Sequence, residues 1–223
     1  MKKNFLLLFC FISSFVFSQE YHFDYKCYDN ETQIKGEYKG NKRINIIYFN
    51  SKNKDLMAYD YYFSQQPLRS FLLYNFETNN LFSYSINHKS EFSSLNLIHS
   101  FPIKIYQDEI KIERVDVEEV SGNIWIIKAF PSQKSKKSKL ELKVVLEKSD
   151  FPMPRIRFMD LSPNIHNKIY DALLSKLVST NYQIISVTTD YKNGVIMHDD
   201  ISQCEKINLK ILTKEKSNYE IKK

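Results

Sequence analysis

Glycine and cysteine are scarce in this chain, which has only 4 glycines and 3 cysteines among its 223 residues. So few glycines exclude collagen-like repeats and glycine-rich phosphate loops. So few cysteines exclude a disulfide-dense miniprotein or a multi-cysteine zinc module. The sequence also lacks the Gly-x-Ser-x-Gly, His-Glu-x-x-His and Cys-x-x-Cys patterns of common hydrolases, metalloproteases and redox proteins. We therefore predict a protein that is not an enzyme, with no catalytic residue and no cofactor.

The N-terminus has the layout of a secretory signal peptide. Two lysines precede an uninterrupted apolar run over residues 5–12, and Ser18 offers a small residue for cleavage. The run is shorter than the ~20 apolar residues that a spanning helix needs, and no later stretch is long enough either. We therefore predict a signal peptide over residues 1–18 and an exported protein, secreted or periplasmic, whose mature chain has no transmembrane segment.

Two cysteines, Cys27 and Cys204, remain in the predicted mature chain and lie near its two ends. Exported cysteines meet an oxidising environment, in which disulfides form and persist. We therefore favour a disulfide between Cys27 and Cys204, with two buried free thiols as the alternative.

Hydrophobic residues alternate with polar ones along most of the chain, which is typical of strands with one buried face. Short turn signals separate many of these segments, so successive strands are predicted to be antiparallel neighbours in a large meander. Some strands are apolar on both faces and therefore need cover on both sides. The predicted strands cover residues 21–27, 44–49, 57–63, 71–76, 81–86, 110–120, 124–130, 140–146, 182–187, 195–197 and 207–211.

One amphipathic helix is predicted near residues 163–178. Ser162 is a good N-cap, and Pro163 suits the first helical position. An apolar stripe follows, formed by Ile165, Ile169, Ala172, Leu173 and Leu177. The fold class is thus mainly β (α+β), with an antiparallel half-barrel or sandwich and one packed helix in a single domain, residues 19–223. The helix covers one sheet face, and the other face folds onto more sheet or encloses a cavity.

Aromatic residues crowd the adjacent strands between residues 57 and 76. They form either core and cross-strand pairs or the lining of a groove for an acyl chain, an apolar peptide or a glycan. The candidate groove residues are Tyr59, Tyr61, Phe63, Tyr74 and Phe76.

The histidines predict no metal site. His22 with Asp24, and His198 with Asp200, share a strand face, but each pair supplies only two of the three or four ligands that a typical site needs. Antiparallel pairing through the cysteines also keeps the two pairs apart. His166 falls within the apolar helical stripe and is predicted to be a partly buried, hydrogen-bonded residue.

The most basic stretch, residues 132–139, has four lysines, no arginine and no aromatic residue to stack on a base. We predict a solvated hairpin loop there and no nucleic-acid partner, with docking to an anionic surface as the alternative.

The sheet order and the helix near 163–178 give the chain a layout that resembles uncharacterised small secreted β-rich bacterial proteins. The layout also resembles the half-barrel of periplasmic lipoprotein carriers. In that family a curved antiparallel sheet wraps an apolar cavity plugged by helices, although this chain has no evident long helix after the leader. The resemblance carries no functional residue. It implies an apolar ligand or lipid held in a sheet groove, and the alternative is an envelope protein–protein interaction or assembly module.

Overall fold

A computed structural model describes residues 18–61, 68–87, 96–103, 107–150, 153, 161–179 and 181–214. Within these ranges the chain forms one antiparallel sheet of 11 strands, which is not closed into a barrel, and one helix, α1 (Pro163–Leu174). The mainly-β prediction is therefore confirmed. The strands are β1 (Ser18–Lys35), β2 (Lys42–Asn50), β3 (Asn53–Tyr61), β4 (Leu68–Asn75), β5 (Asn80–Asn87), β6 (Asn96–Pro102), β7 (Arg114–Ser121), β8 (Ile124–Phe130), β9 (Leu140–Lys148), β10 (Tyr182–Asp190) and β11 (Ile196–Lys214).

The strand order joins two meanders through the first and last strands. It runs β6-β5-β4-β3-β2-β1-β11-β10-β9-β8-β7, so strands that follow one another in the chain are mostly neighbours in the sheet. Short connections favour this arrangement because antiparallel strands need only a tight turn between them. The exception is β6 and β7, which follow one another in the chain but form the two edges of the sheet. In the centre, β1 lies against β11 over nearly its whole length.

The two faces of the sheet carry separate cores. The main core brings together the inner faces of both meanders and the buried stripe of α1, which includes Ile165, Ile169 and Leu173. A second core lies on the opposite face of β2–β5 and includes Phe71 and Phe82. Strands β2 and β4, which are apolar on both faces, are thus covered on both sides, whereas Ile124 and Ile126 on the second face of β8 are only half-buried.

The paired strands β1 and β11 pass from one core to the other. Tyr21 and Phe23 pack in the second core, with the Tyr21 ring 5.7 Å from the ring of Phe82, whereas Cys27 and Tyr25 pack in the main core. A register shift lies between Phe23 and Tyr25, and such irregularities bend a strand and increase its twist. The prediction of a single buried face for residues 21–27 is therefore wrong. The start of β1, with Tyr21 and Phe23, instead covers the face of β2–β5 that carries the second core.

The structure also corrects three predicted boundaries. The segment predicted as a strand from residue 110 becomes one only at Arg114, since residues 108–112 bind the start of α1 instead. The two short strands at 195–197 and 207–211 are parts of one strand, β11, whose polar middle section hid its continuity. Helix α1 ends at Leu174 rather than 178, where Ser175 begins a tighter turn and Val178 is fully exposed. Residues 62 and 63 of a further predicted strand lie outside the described residues.

Among the described residues, no helix is both long and apolar enough to cross a membrane.

Candidate functional site

Three connections meet at one end of the sheet, which we call the open end. They are residues 36–41 between β1 and β2, 131–139 between β8 and β9, and 191–195 between β10 and β11. Strand pairing places the ends of the flanking strands side by side. Ile196 of β11 pairs with both Lys35 of β1 and Asp190 of β10, and Asp190 also pairs with Glu141 of β9. The loops are therefore neighbours in space although they are far apart in the sequence.

A cavity of about 650 Å³ opens between the first and third of these connections, and we call it the mouth cavity. Its volume falls within the ~300–1,000 Å³ range of small-molecule sites. Its lining residues are Glu31, Gln33, Glu37, Tyr38, Asn41, Lys42, Arg43, Leu161, Tyr191, Asn193, Val195 and Met197.

The walls of the mouth cavity combine apolar and aromatic side chains with seven polar or charged ones, among which two acidic and two basic residues balance in charge. Leu161, just before α1, is buried, and Tyr191 and Met197 are half-buried. Arg43 Nε donates a 2.7 Å hydrogen bond to Glu31 Oε1, and the Glu31 side chain is only 12% exposed. Because the guanidinium and the carboxylate neutralise each other, this wall offers hydrogen-bonding groups with no net charge.

The 36–41 hairpin is held by backbone hydrogen bonds at its base. Gln33 N donates to Asn41 O over 3.0 Å, and Gly40 N donates to Gln33 O over 2.8 Å. Gly36 has φ +121°, a conformation that residues with a side chain rarely adopt. A Cβ atom at this position would also overlap Gln33 Nε2, which donates to Lys35 O over 3.2 Å. Glycine is therefore required where this hairpin leaves the cavity wall.

A buried polar cluster, formed by Asp29, Asn45 and Tyr59, adjoins the cavity wall. Asp29 lies two residues before Glu31 on β1, and successive odd positions of a strand share one face. Asn45 Nδ2 donates to Asp29 Oδ2 over 3.2 Å, and the Tyr59 hydroxyl also donates to Asp29 Oδ2. Burial and the neighbouring Asp29 carboxylate raise the pKa of Tyr59 well above its usual value, so the phenol keeps its proton and remains a donor.

The sequence pattern of β1 indicates this polar cluster. The buried face of β1 continues from Cys27 through Asp29, Glu31 and Gln33 with the same alternation, but with polar residues. Polar residues on a buried strand face need partners and therefore mark a polar site or network.

The structure brings the predicted groove aromatics together against α1. Tyr59 and Tyr74 are buried in the main core, while Tyr61 and Phe76 are half-buried against it. The rings of Tyr59 and Tyr61 lie 5.0 Å apart. The space between α1 and this region, lined by Met57, Tyr74, Phe76, Pro163 and His166, measures only about 10 Å³. This is the volume of one water-sized probe. Phe63 lies outside the described residues.

The two cysteines of the predicted disulfide meet in the middle of the sheet. Their sulfur atoms are 1.99 Å apart, at bonding distance, and join β1 to β11. Cys27 is 1% exposed and belongs to the main core, whereas Cys204 is half-buried. The bond lies at a register shift between the two strands, next to the 2.8 Å ion pair of Lys26 with Glu205.

The histidine–aspartate pairs serve separate local contacts. His22 is hydrogen-bonded to Asn208 over 3.0 Å, and Asp24 accepts a 2.7 Å bond from Ser51 N. His198 lies 3.1 Å from Asp200. No group of three or more His, Cys, Asp or Glu side chains within the described ranges has the geometry to hold a metal ion. His166 is 3% exposed on α1.

Comparisons with known proteins add no relative: no family model matches the chain, and no curated protein matches its sequence. The functional argument therefore depends on the site itself.

Proposed function

We propose that this protein is an exported, non-enzymatic binding protein that holds an apolar or amphipathic small molecule in the mouth cavity. The observation that carries the proposal is the cavity of about 650 Å³ at the open end of the sheet. Concave, mostly apolar sites with a few fixed polar groups are typical of small-molecule binding.

The wall chemistry defines the class of ligand. Leu161, Tyr191 and Met197 offer apolar surface that would bury an aliphatic or aromatic portion. Gln33 and the neutralised pair of Arg43 with Glu31 offer donors and acceptors without net charge. We therefore favour an amphipathic ligand with a polar but uncharged head group, a class that includes neutral lipids.

Two further features support an exported binding protein. The Cys27–Cys204 pair at bonding distance fits an oxidising compartment, and the lysine-led apolar segment at the N-terminus fits a secretory leader. An open antiparallel sheet with a helix on its inner face also resembles the half-barrel of the lipoprotein carriers, which favours a lipid among the amphipathic candidates.

A cavity-filling substitution tests this function. Met197→Trp would fill the mouth cavity, and Ile44→Trp adds the same side chain at a position that is 54% exposed outside it. Binding of an environment-sensitive apolar dye, together with native mass spectrometry of the purified protein, measures occupancy. We expect a saturable dye site that is lost in Met197→Trp and retained in Ile44→Trp, with circular dichroism confirming that both variants fold.

Absence of dye binding and of any carried molecule, or equal binding by both variants, would contradict this proposal. The assembly module would then be the better candidate. The space beside Tyr74 and Phe76 is only about 10 Å³, which favours the assembly module over a ligand groove between these residues and α1. Its partner would then have exposed apolar side chains to contact, such as Ile34 and Ile44 on neighbouring strands.

A further inference from the structure

The open end carries most of the net positive charge of the protein. The 36–41, 131–139 and 191–195 connections have six lysines and one acidic residue, Glu37, which gives a net charge of +5 against +6 for the whole chain. The lysines are Lys39, Lys134, Lys136, Lys137, Lys139 and Lys192. Since the strand pairings place these connections at the same end of the sheet, charge that is dispersed in the sequence becomes one cationic rim along the open end.

Residues 131–139, which we call the lysine loop, are held in a defined shape. Arg114 donates to the backbone carbonyls of Gln133 and Ser135, the latter over 3.1 Å. Gln133 Nε2 donates to Glu113 O over 2.9 Å, and Lys139 N donates over 2.8 Å to a carbonyl at the end of β8. The loop therefore presents its lysines from an ordered frame, so little conformational entropy of the backbone is lost when a partner binds.

The ammonium groups of the lysine loop are available to a partner. Lys134, Lys136, Lys137 and Lys139 are exposed, and within the described part of the chain they make no ion pair. Lys192 differs, because it lies 2.9 Å from Asp190 and 3.2 Å from a carboxylate oxygen of β9. Unpaired lysines in an ordered loop give a field that falls off within about 10 Å at moderate salt, so the partner must come into close contact.

Four acidic residues lie near the loop. Glu113, just before β7, accepts the hydrogen bond from Gln133 through its backbone carbonyl, and its carboxylate pairs with Lys111 over 2.5 Å. Asp116 and Glu118 of β7 and Glu141 of β9 line a groove of about 760 Å³ beside the loop, together with several of its lysines. These three residues belong to strands, the Glu113 carboxylate is paired with Lys111, and the loop itself has no acidic residue, so the charges that the loop carries are all positive.

An exposed aromatic ring stands on the same rim. Tyr38 lies in the 36–41 hairpin, lines the mouth cavity and is 59% exposed. Tyrosine is enriched at membrane–water interfaces because its ring is apolar and its hydroxyl is polar. A cationic rim with an exposed tyrosine matches the surface of an anionic bilayer in both charge and polarity.

We propose that the open end docks on the surface of an anionic lipid bilayer. Lysine attracts lipid phosphates as a compact charge, and a cluster of four to eight basic residues is the usual signature of such binding. Nucleic acid is the less favoured partner, since the lysine loop has no aromatic residue between its lysines on which a base would stack. The docking requires only the rim, so it does not depend on a ligand in the mouth cavity.

Vesicle co-sedimentation tests the docking. The probes are vesicles of phosphatidylcholine alone and vesicles with an equal share of phosphatidylglycerol, each at low and at high salt. The loop variant changes Lys134, Lys136, Lys137 and Lys139 to Gln. The matched control loses the same charge at four exposed lysines elsewhere, by substitution of Lys52, Lys148, Lys176 and Lys206 with Gln.

The protein should bind the anionic vesicles, bind zwitterionic vesicles far more weakly, and dissociate at high salt. Each lysine near an anionic leaflet contributes about fivefold, so the loop variant should lose roughly 10²-fold or more, and the control only a few-fold. Tyr38→Ala should weaken binding in addition.

Equal losses in the loop variant and the control would overturn the proposal, because net charge alone would then explain the binding. The proposal also fails if the protein binds neither kind of vesicle, or if duplex DNA at equal phosphate concentration displaces it from vesicles. The apolar dye assay, run without vesicles, should be unchanged in the loop variant, which keeps the failure of docking distinct from the failure of cavity binding.

Discussion

Reduction of the Cys27–Cys204 bond should destabilise the protein without changing its fold. The bond closes a loop with a sequence separation of 177, so the reduced unfolded chain gains conformational freedom that the oxidised chain lacks. In the loop-entropy model this difference amounts to about 5 kcal/mol, and measured disulfides more often contribute about 2–4 kcal/mol.

We take the measured range of about 2–4 kcal/mol as the guide. The strands β1 and β11 pair along their length through backbone hydrogen bonds, so we expect reduction to leave the native contacts in place. We therefore expect a loss of about 3 kcal/mol in the free energy of unfolding, which for a chain of this size lowers the Tm by roughly 6–12 °C. Replacing both cysteines with Ala should cost about 1 kcal/mol more, since Cys27 is 1% exposed and its sulfur would leave a small void.

The single tryptophan provides the assay. Trp125 lies in the main core on β8 and is 8% exposed, so its fluorescence should report exposure of that core during thermal or urea unfolding. Protein that starts at Gln19 has only the two relevant thiols, and alkylation before and after reduction counts them. Circular dichroism of the reduced protein should retain its strand signal.

Two results would refute the reasoning. If alkylation of the unreduced protein, purified from an oxidising compartment, finds two free thiols, the bond does not form. If the oxidised and reduced proteins unfold within about 0.5 kcal/mol of one another, the bond forms but does not restrict the unfolded chain as its sequence separation requires.

Two further substitutions test the hairpin and the helix anchor. Gly36→Ala should destabilise the protein by about 1 kcal/mol more than Gly40→Ala, because both positions have positive φ but only a Cβ atom at residue 36 meets Gln33. Gly36→Ala should also weaken dye binding. Equal melting curves for the two variants would contradict this prediction. Burial raises the pKa of Asp108, but hydrogen bonds from Ser162 and from the lysine of α1 outweigh burial and hold that pKa below its usual value. The stability that this carboxylate contributes is therefore fully present above pH ~4 and is lost as pH falls through the lowered pKa. Asp108→Asn should accordingly cost about 1 kcal/mol at pH 7 and almost nothing near pH 2 by urea unfolding, and a cost independent of pH would contradict this account.

Local patterns were sufficient to predict the helix and most of the strands, but not β6 (Asn96–Pro102). The alternation from Leu140 to Leu146 appears in the structure as a strand whose alternate residues are buried, because side chains of any strand point to opposite faces in turn. Ser162 caps α1 as predicted and donates its hydroxyl to Asp108, a contact between distant segments that no local pattern contains. The continuous β11 was missed because the polar residues of its middle section break the apolar alternation.

The candidate site depends on long-range pairing. The mouth cavity is formed by residues near positions 31–43, 161 and 191–197, which are brought together because β1 pairs with β11. The register shifts in that pair decide which core each residue joins, and they arise from the packing of both partners. No sequence window contains the information for such a site.

By itself, then, the sequence determined a strand-rich chain with one helix and a loop of four lysines, since these follow from side-chain order over a few residues. The tertiary structure decided that Tyr74 is packed into the core, that the mouth cavity lies at the hairpins, and that the lysine loop lies at the same end of the sheet. The physical reason is that burial and cavities depend on which distant strands pair and in what register, and that choice minimises the free energy of the whole chain rather than of any segment.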